Sequence, residues 1–255
     1  MSKIAIIGAG IAGLSALQRL AASGHEVWVF DKSRGSGGRI ASKRVGDASW
    51  DMGAQFLVAH GTEFANQLAD WERAGWIAEW PVVPWVIKSG LQEPSPDDQK
   101  RYVAMPRMTS LSRCLLKPAQ EFITSTRITS LKREGQHWNL ESESGQRWEN
   151  FDKVVLAIPP EQASALLADA PELLPLCDQI MLPCWTLLLS YSRRLEAPFE
   201  AAFVKDHAIS WIARNNSKPM RDDRETWVIQ ANHQWSREHC DAPRAEVQQK
   251  LLSEF

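Results

Sequence analysis

The chain has 255 residues, with 29 Lys plus Arg against 31 Asp plus Glu, a net charge of −2 and an apolar fraction of 44 %. That profile excludes general disorder, and the near-neutral balance argues against a dedicated nucleic-acid binder, whose affinity comes from Lys and Arg neutralising phosphates. No run reaches the roughly 18 to 20 apolar residues that span a bilayer. The apolar start at 4–7 passes into Gly8 without a basic leader, which places the chain in the cytoplasm. Cys114, Cys177, Cys184 and Cys240 form no CxxC pair, and the six histidines have no ligand spacing, so neither a disulfide framework nor a metal site is indicated.

In chain order, residues 3–7 form a short, continuously apolar run, as expected of a strand covered on both faces in a parallel sheet. Residues 9–23 carry Leu14, Leu17 and Ala21 at helical spacing and end at Gly24, and a second strand at 26–30 ends at Asp31. Together they make a βαβ unit. Residues 32–44 read as a glycine-rich, basic loop. An amphipathic helix is predicted over 63–76, irregular chain up to Pro96, and a second helix over 108–116. A third parallel strand is placed at 122–124, and a small antiparallel meander across 127–148 turns at Gly135 and Gly145. Residues 152–158 return to the buried sheet, and Pro159 and Pro160 open a helix running to Leu167. Strands at 185–191, 208–213 and 226–231 suggest a second, mainly antiparallel layer, and 243–255 read as an amphipathic helix. The fold class is therefore α/β: a Rossmann-like domain over 1–60 and 105–160, with a mixed, mainly antiparallel cap over 61–104 and 161–255.

Gly8, Gly10 and Gly13 form G-x-G-x-x-G between a buried strand and a helix, and Asp31 ends the next strand. Such glycines let backbone approach a pyrophosphate. The start of the helix, at Ile11 and Ala12, offers unpaired N–H groups and a positive dipole end, and the acid can accept from ribose hydroxyls. This arrangement alone does not separate NAD from FAD.

The next segment is Lys32-Ser33-Arg34-Gly35-Ser36-Gly37-Gly38-Arg39. By itself it reads as a solvated basic loop or an RNA-binding RGG-like stretch. In its context it resembles the arginine and double-glycine motif of the flavin-containing amine oxidase superfamily. That resemblance implies FAD, with Lys32, Arg34, Gly38 and Arg39 around its pyrophosphate. Gly53, Ala54, Gln55 and Phe56 are similar to the segment that approaches the flavin ring, Ile128 to the position pairing with adenine, and Ala157 and Pro159 to the strand end beside the cofactor. Residues 31–39, 75–80, 211–219 and 227–236 resemble the bacterial renalase branch. Relatives there continue into a C-terminal segment covering the flavin, and such a segment is expected to be missing here.

The renalase resemblance implies an oxidase that returns 2- and 6-dihydro isomers of NAD(P)H to NAD(P)+ by hydride transfer to flavin N5, with O2 reduced to H2O2. Its partners are then a dihydronicotinamide dinucleotide and O2, with no nucleic acid and no membrane. A dihydropyridine already carries its hydride, so positioning dominates and no catalytic acid or base is assigned. The other readings are an amine oxidase or desaturase of the same superfamily and a non-catalytic dinucleotide-binding protein. Eight of the 12 tryptophans, Trp71, Trp76, Trp80, Trp85, Trp185, Trp211, Trp227 and Trp235, lie in the expected cap, where flat rings could stack on a nicotinamide. Trp211 and Trp235 are the substrate candidates, with Arg214, Arg107 and Arg221 able to meet phosphates.

Overall fold

The computed structural model describes all 255 residues. The chain divides into two compact units, Met1–Ile40 with Leu111–Met181, and Ala41–Ser110 with Leu182–Phe255. No helix is long and apolar enough to cross a membrane.

The first unit is Rossmann-like. Its four-stranded parallel sheet has the order Lys153–Leu156, Lys3–Ile7, Glu26–Phe30, Glu121–Ile123. The helix Ile11–Ala22 buries Gly13, Leu14 and Leu17, the residues that recur on one helical face. A three-stranded antiparallel meander, Ile128–Glu134, His137–Ser142 and Arg147–Phe151, joins it. Ala5, Ile7 and Phe30 of the sheet and Ile128, Leu131, Leu140 and Phe151 of the meander form one core. Aromatic edges lock it: Phe30 meets Trp148 with ring centroids 5.1 Å apart, and Trp28 meets Phe151 at 6.0 Å, both T-shaped.

The second unit is built on a six-stranded sheet with the order Thr186–Tyr191, Glu225–Ala231, Ile209–Arg214, Ala201–Lys205, Trp85–Lys88, Leu91–Pro94. All its pairs are antiparallel except Ala201–Lys205 with Trp85–Lys88. The strand Glu225–Ala231 is buried on both faces. Trp227 and Ile229 pack with Val247 and Leu251 of the C-terminal helix Arg244–Glu254, while Val228 packs with Ala48 and Trp50. That period-2 division puts successive side chains on opposite sides of the sheet.

Several sequence expectations need correction. Residues 41–60 and 105–110 were expected in the dinucleotide domain but belong to the second unit. Ser42–Val45 and Ala48–Asp51 form a hairpin whose Trp50 Nε1 donates to the Leu189 carbonyl at 2.8 Å. Residues 161–181 were expected in the cap but belong to the first unit, where Leu166 joins the core around Phe30. The α-helix opened by Pro160 ends at Ser164, short of Leu167. The strands Trp85–Lys88, Leu91–Pro94 and Ala201–Lys205 were not anticipated; Leu91–Pro94 is exposed along its whole length and has no buried face to leave a pattern.

Candidate functional site

The first unit presents a glycine cradle at the carboxyl end of its sheet. Gly8 leaves the strand with φ +107°, and an added Cβ would stand 2.5 Å from the Ala157 carbonyl oxygen, so only glycine allows the two strand ends to approach. At Gly13 a Cβ would collide with the Gly8 carbonyl oxygen, so its absence lets the helix sit down on the strand. Gly10 differs: it is the N-cap of Ile11–Ala22, with no side-chain cap, and a Cβ there would meet nothing within 4 Å. Open space thus lies before an uncapped helix start, where the first-turn N–H groups have no intrahelical acceptor.

The second glycine loop is held against the first. Gly37 forms a parallel bridge with Gly10, and its N–H donates to the Ala9 carbonyl at 2.8 Å. Gly38, at φ +54°, would put a Cβ 3.3 Å from the Gly10 Cα. Asp31 staples both loops: its Oδ2 accepts from Ala9 N and its Oδ1 from Ser33 N, each at 2.8 Å. A carboxylate accepts about four hydrogen bonds, so capacity for hydroxyl donors remains. Arg34 and Arg39 are exposed on this loop, while Lys32 donates to Gln162 Oε1 at 3.0 Å. Ile128 is buried at the start of the meander, and Pro159 is the N-cap of the short helix after Ala157. Of the cofactor residues expected from sequence, Gly8, Gly10, Ile11, Ala12, Gly13, Asp31, Lys32, Arg34, Gly38, Arg39, Ile128, Ala157 and Pro159 belong to this unit.

Gly53, Ala54, Gln55 and Phe56 belong to the second unit, beside a buried ionic cluster. Asp51 Oδ2 receives Arg221 Nη2 at 2.5 Å and Lys218 Nζ at 3.3 Å, while Oδ1 accepts from Met108 N at 2.9 Å and Ser42 Oγ at 2.8 Å. The Lys218 ammonium also donates to Gln55 Oε1 at 3.1 Å and lies 5.3 Å from the Trp80 ring centroid. Burial pushes the Asp51 carboxyl up, but the charges of Lys218 and Arg221, with hydrogen bonds from Arg221 and Met108, together outweigh it and hold the group down to about 2. For Lys218 burial is the larger effect and Arg221 adds to it; against the pull of Asp51 they bring the ammonium down to about 8. Sequence reasoning missed Lys218 and the role of Asp51, because the partners stand 167 residues apart and no local pattern joins them.

The substrate candidates are placed differently from one another. Trp211 is 5 % exposed, with its ring 5.4 Å from Phe56 and 4.7 Å from Phe203. Trp235 lies on the helix His233–Glu238, stacked on His239 at 4.0 Å. Arg214, expected at a substrate phosphate, is instead committed inside the unit. It is 1 % exposed, ion-paired with Glu225 and Glu200, bonded to the Leu195 carbonyl and set over the Trp227 ring. Arg221 is likewise spent on Asp51 and on the carbonyls of Ala104 and Pro219.

Residues 6–71 match the family described as NAD(P)-binding Rossmann-like domain. A 56-residue segment is 47 % identical to a 4,4'-diapophytoene desaturase of Staphylococcus aureus, covering 22 % of this chain and 11 % of that protein. The match therefore reaches over about a tenth of the desaturase. Among solved structures, a protein provisionally described as a protoporphyrinogen oxidase, from Exiguobacterium sp. 255-15, superposes with a TM-score of 0.78 at 13 % identity, over 99 % of this chain and 82 % of that one. Putrescine oxidase bound to putrescine superposes with a TM-score of 0.75 at 14 % identity, over 99 % and 80 %. At such identities the likeness is one of fold.

Proposed function

We propose that this chain is an FAD-dependent oxidoreductase of the renalase type, oxidising 2- and 6-dihydro isomers of NAD(P)H to NAD(P)+ with O2 as electron acceptor. The observation that carries the reading is the coupling of two glycine loops, Gly10 against Gly37, before an uncapped helix start that opens onto free space. The residues present fit the cofactor: backbone N–H groups of Ile11 and Ala12 with the Arg34 and Arg39 side chains meet a pyrophosphate, and Asp31 has acceptor capacity for ribose hydroxyls. Ile128 takes the adenine end, and Ala157 and Pro159 flank the cofactor; a ring contact for Gly53 to Phe56 rests on the superfamily resemblance alone. FAD, when bound, supplies the hydride acceptor and passes the electrons to O2.

The chain's own part is to bind, orient and exclude water. Trp211 enters through Phe56, against whose ring it packs. Anaerobic mixing tests the reaction. The expected outcome is rapid bleaching of the flavin band near about 450 nm by the dihydronicotinamide isomers and none by amines. A second reading, an amine oxidase or desaturase, is favoured by the similarity to putrescine oxidase and to the desaturase. Bleaching by putrescine alone would put it first.

A further inference from the structure

One polar cavity in the second unit lies outside every residue discussed as a cofactor or substrate contact. The strands Thr186–Tyr191 and Glu225–Ala231 pair antiparallel with Tyr191 opposite Glu225. Pairing of that register brings Arg193 and Arg194, just past the end of one strand, beside Arg224, just before the start of the other. The three arginines line a cavity of about 560 Å³, a size that accommodates a small ligand.

Two carboxylates share the lining, Glu225 and Asp223. Glu225 is turned inward, 4 % exposed at its side chain, where it takes Arg214, the Trp227 indole N–H at 2.7 Å and Leu195 N at 3.1 Å. Its charge is answered inside the fold. Arg194 is held by Glu200 at 2.6 Å, which uses one of its five N–H donors. Asp223 is then the one remaining carboxylate on a lining where Arg193 and Arg224 are both exposed. Like charges gathered at one wall repel unless an anion joins them, and the planar fork of arginine matches phosphate oxygens in pairs. The hydroxyls of Ser192 and Tyr191 on the same lining add donors.

We propose that this cavity binds a phosphate-bearing anion, with Arg193 and Arg224 as its principal ligands and Arg194 as a third, oriented by Glu200. The proposal stands independently of the redox reading, since no cradle residue takes part.

The test is titration calorimetry of the full chain, as purified, with inorganic pyrophosphate and, separately, with NADP+. Saturable pyrophosphate binding is expected, weakened by rising ionic strength and weakened about tenfold or more in Arg193→Gln/Arg224→Gln. Both arginines are exposed, so the double variant should keep the wild-type melting temperature. Asp223→Asn should tighten binding several-fold by removing the opposing charge, a change a purely structural role would not give. Tighter NADP+ binding that the double variant abolishes would assign the phosphates to a nucleotide; equal affinities would assign them to free phosphate. No saturable binding, or binding indifferent to the double variant, would overturn the proposal.

Discussion

Asp51 is the residue on which two buried cations of the second unit converge. Its carboxylate answers Lys218 and Arg221 and also caps the first N–H of the helix Met108–Leu116. Asp51→Asn keeps the volume but leaves two buried cations without a counter-charge, so a loss of about 3 to 5 kcal/mol is expected in urea unfolding. The pH dependence follows from the same contacts. Asp51 is held near 2 in the folded chain, against an ordinary value of 3.8, so its contribution is complete above about pH 4 and is lost as pH falls toward 2. Lys218, held near 8 against 10.5, is shifted in the same direction and gives a slope of the same sign, here as relief of a burial penalty. Between those values the unfolded chain binds the extra proton, so stability rises with pH there. Unfolding midpoints measured across pH should show both slopes, and the acid slope should flatten in Asp51→Asn.

At the scale of the element, the cradle separates glycines that shape the fold from one that faces open space. Gly13→Ala drives a Cβ into the Gly8 carbonyl and should cost about 3 kcal/mol or more, read as a lowered thermal midpoint. Gly10→Ala meets no atom within 4 Å and should cost less than about 1 kcal/mol, yet it fills the space before the helix start. Its expected signature is a folded protein with weakened FAD retention. Arg39→Ala should weaken FAD by no more than a few kcal/mol, because the side chain is exposed and any phosphate contact it makes is partly solvated. Equilibrium dialysis of FAD against the two variants separates backbone access from side-chain charge.

For the whole molecule, FAD that binds only the folded chain should raise its stability by mass action, about 2.7 kcal/mol at a hundredfold excess over Kd, read as a concentration-dependent melting temperature. A melting temperature indifferent to FAD would favour a chain that does not carry this cofactor. The tryptophans sort by unit: Trp50 joins the eight expected in the cap, and Trp28, Trp138 and Trp148 remain in the first unit. In the second unit they serve packing first, as the rings of Trp227 and Trp211 do against Phe199 and Phe203.

The sequence by itself determined the βαβ start, down to the bounds of Lys3–Ile7 and Glu26–Phe30, the meander, and the α/β class. Those features are written locally, in apolar periodicity and in glycines that a tight turn requires. The unit boundaries, the hairpin of Trp85–Lys88 with Leu91–Pro94, and the inward commitment of Arg214 depend on tertiary structure. Arg214 shows why. An arginine reads as a solvent-facing cation until a strand register sets Glu225 and Glu200 around it, and that register depends on how separate strands pair, which no local pattern contains.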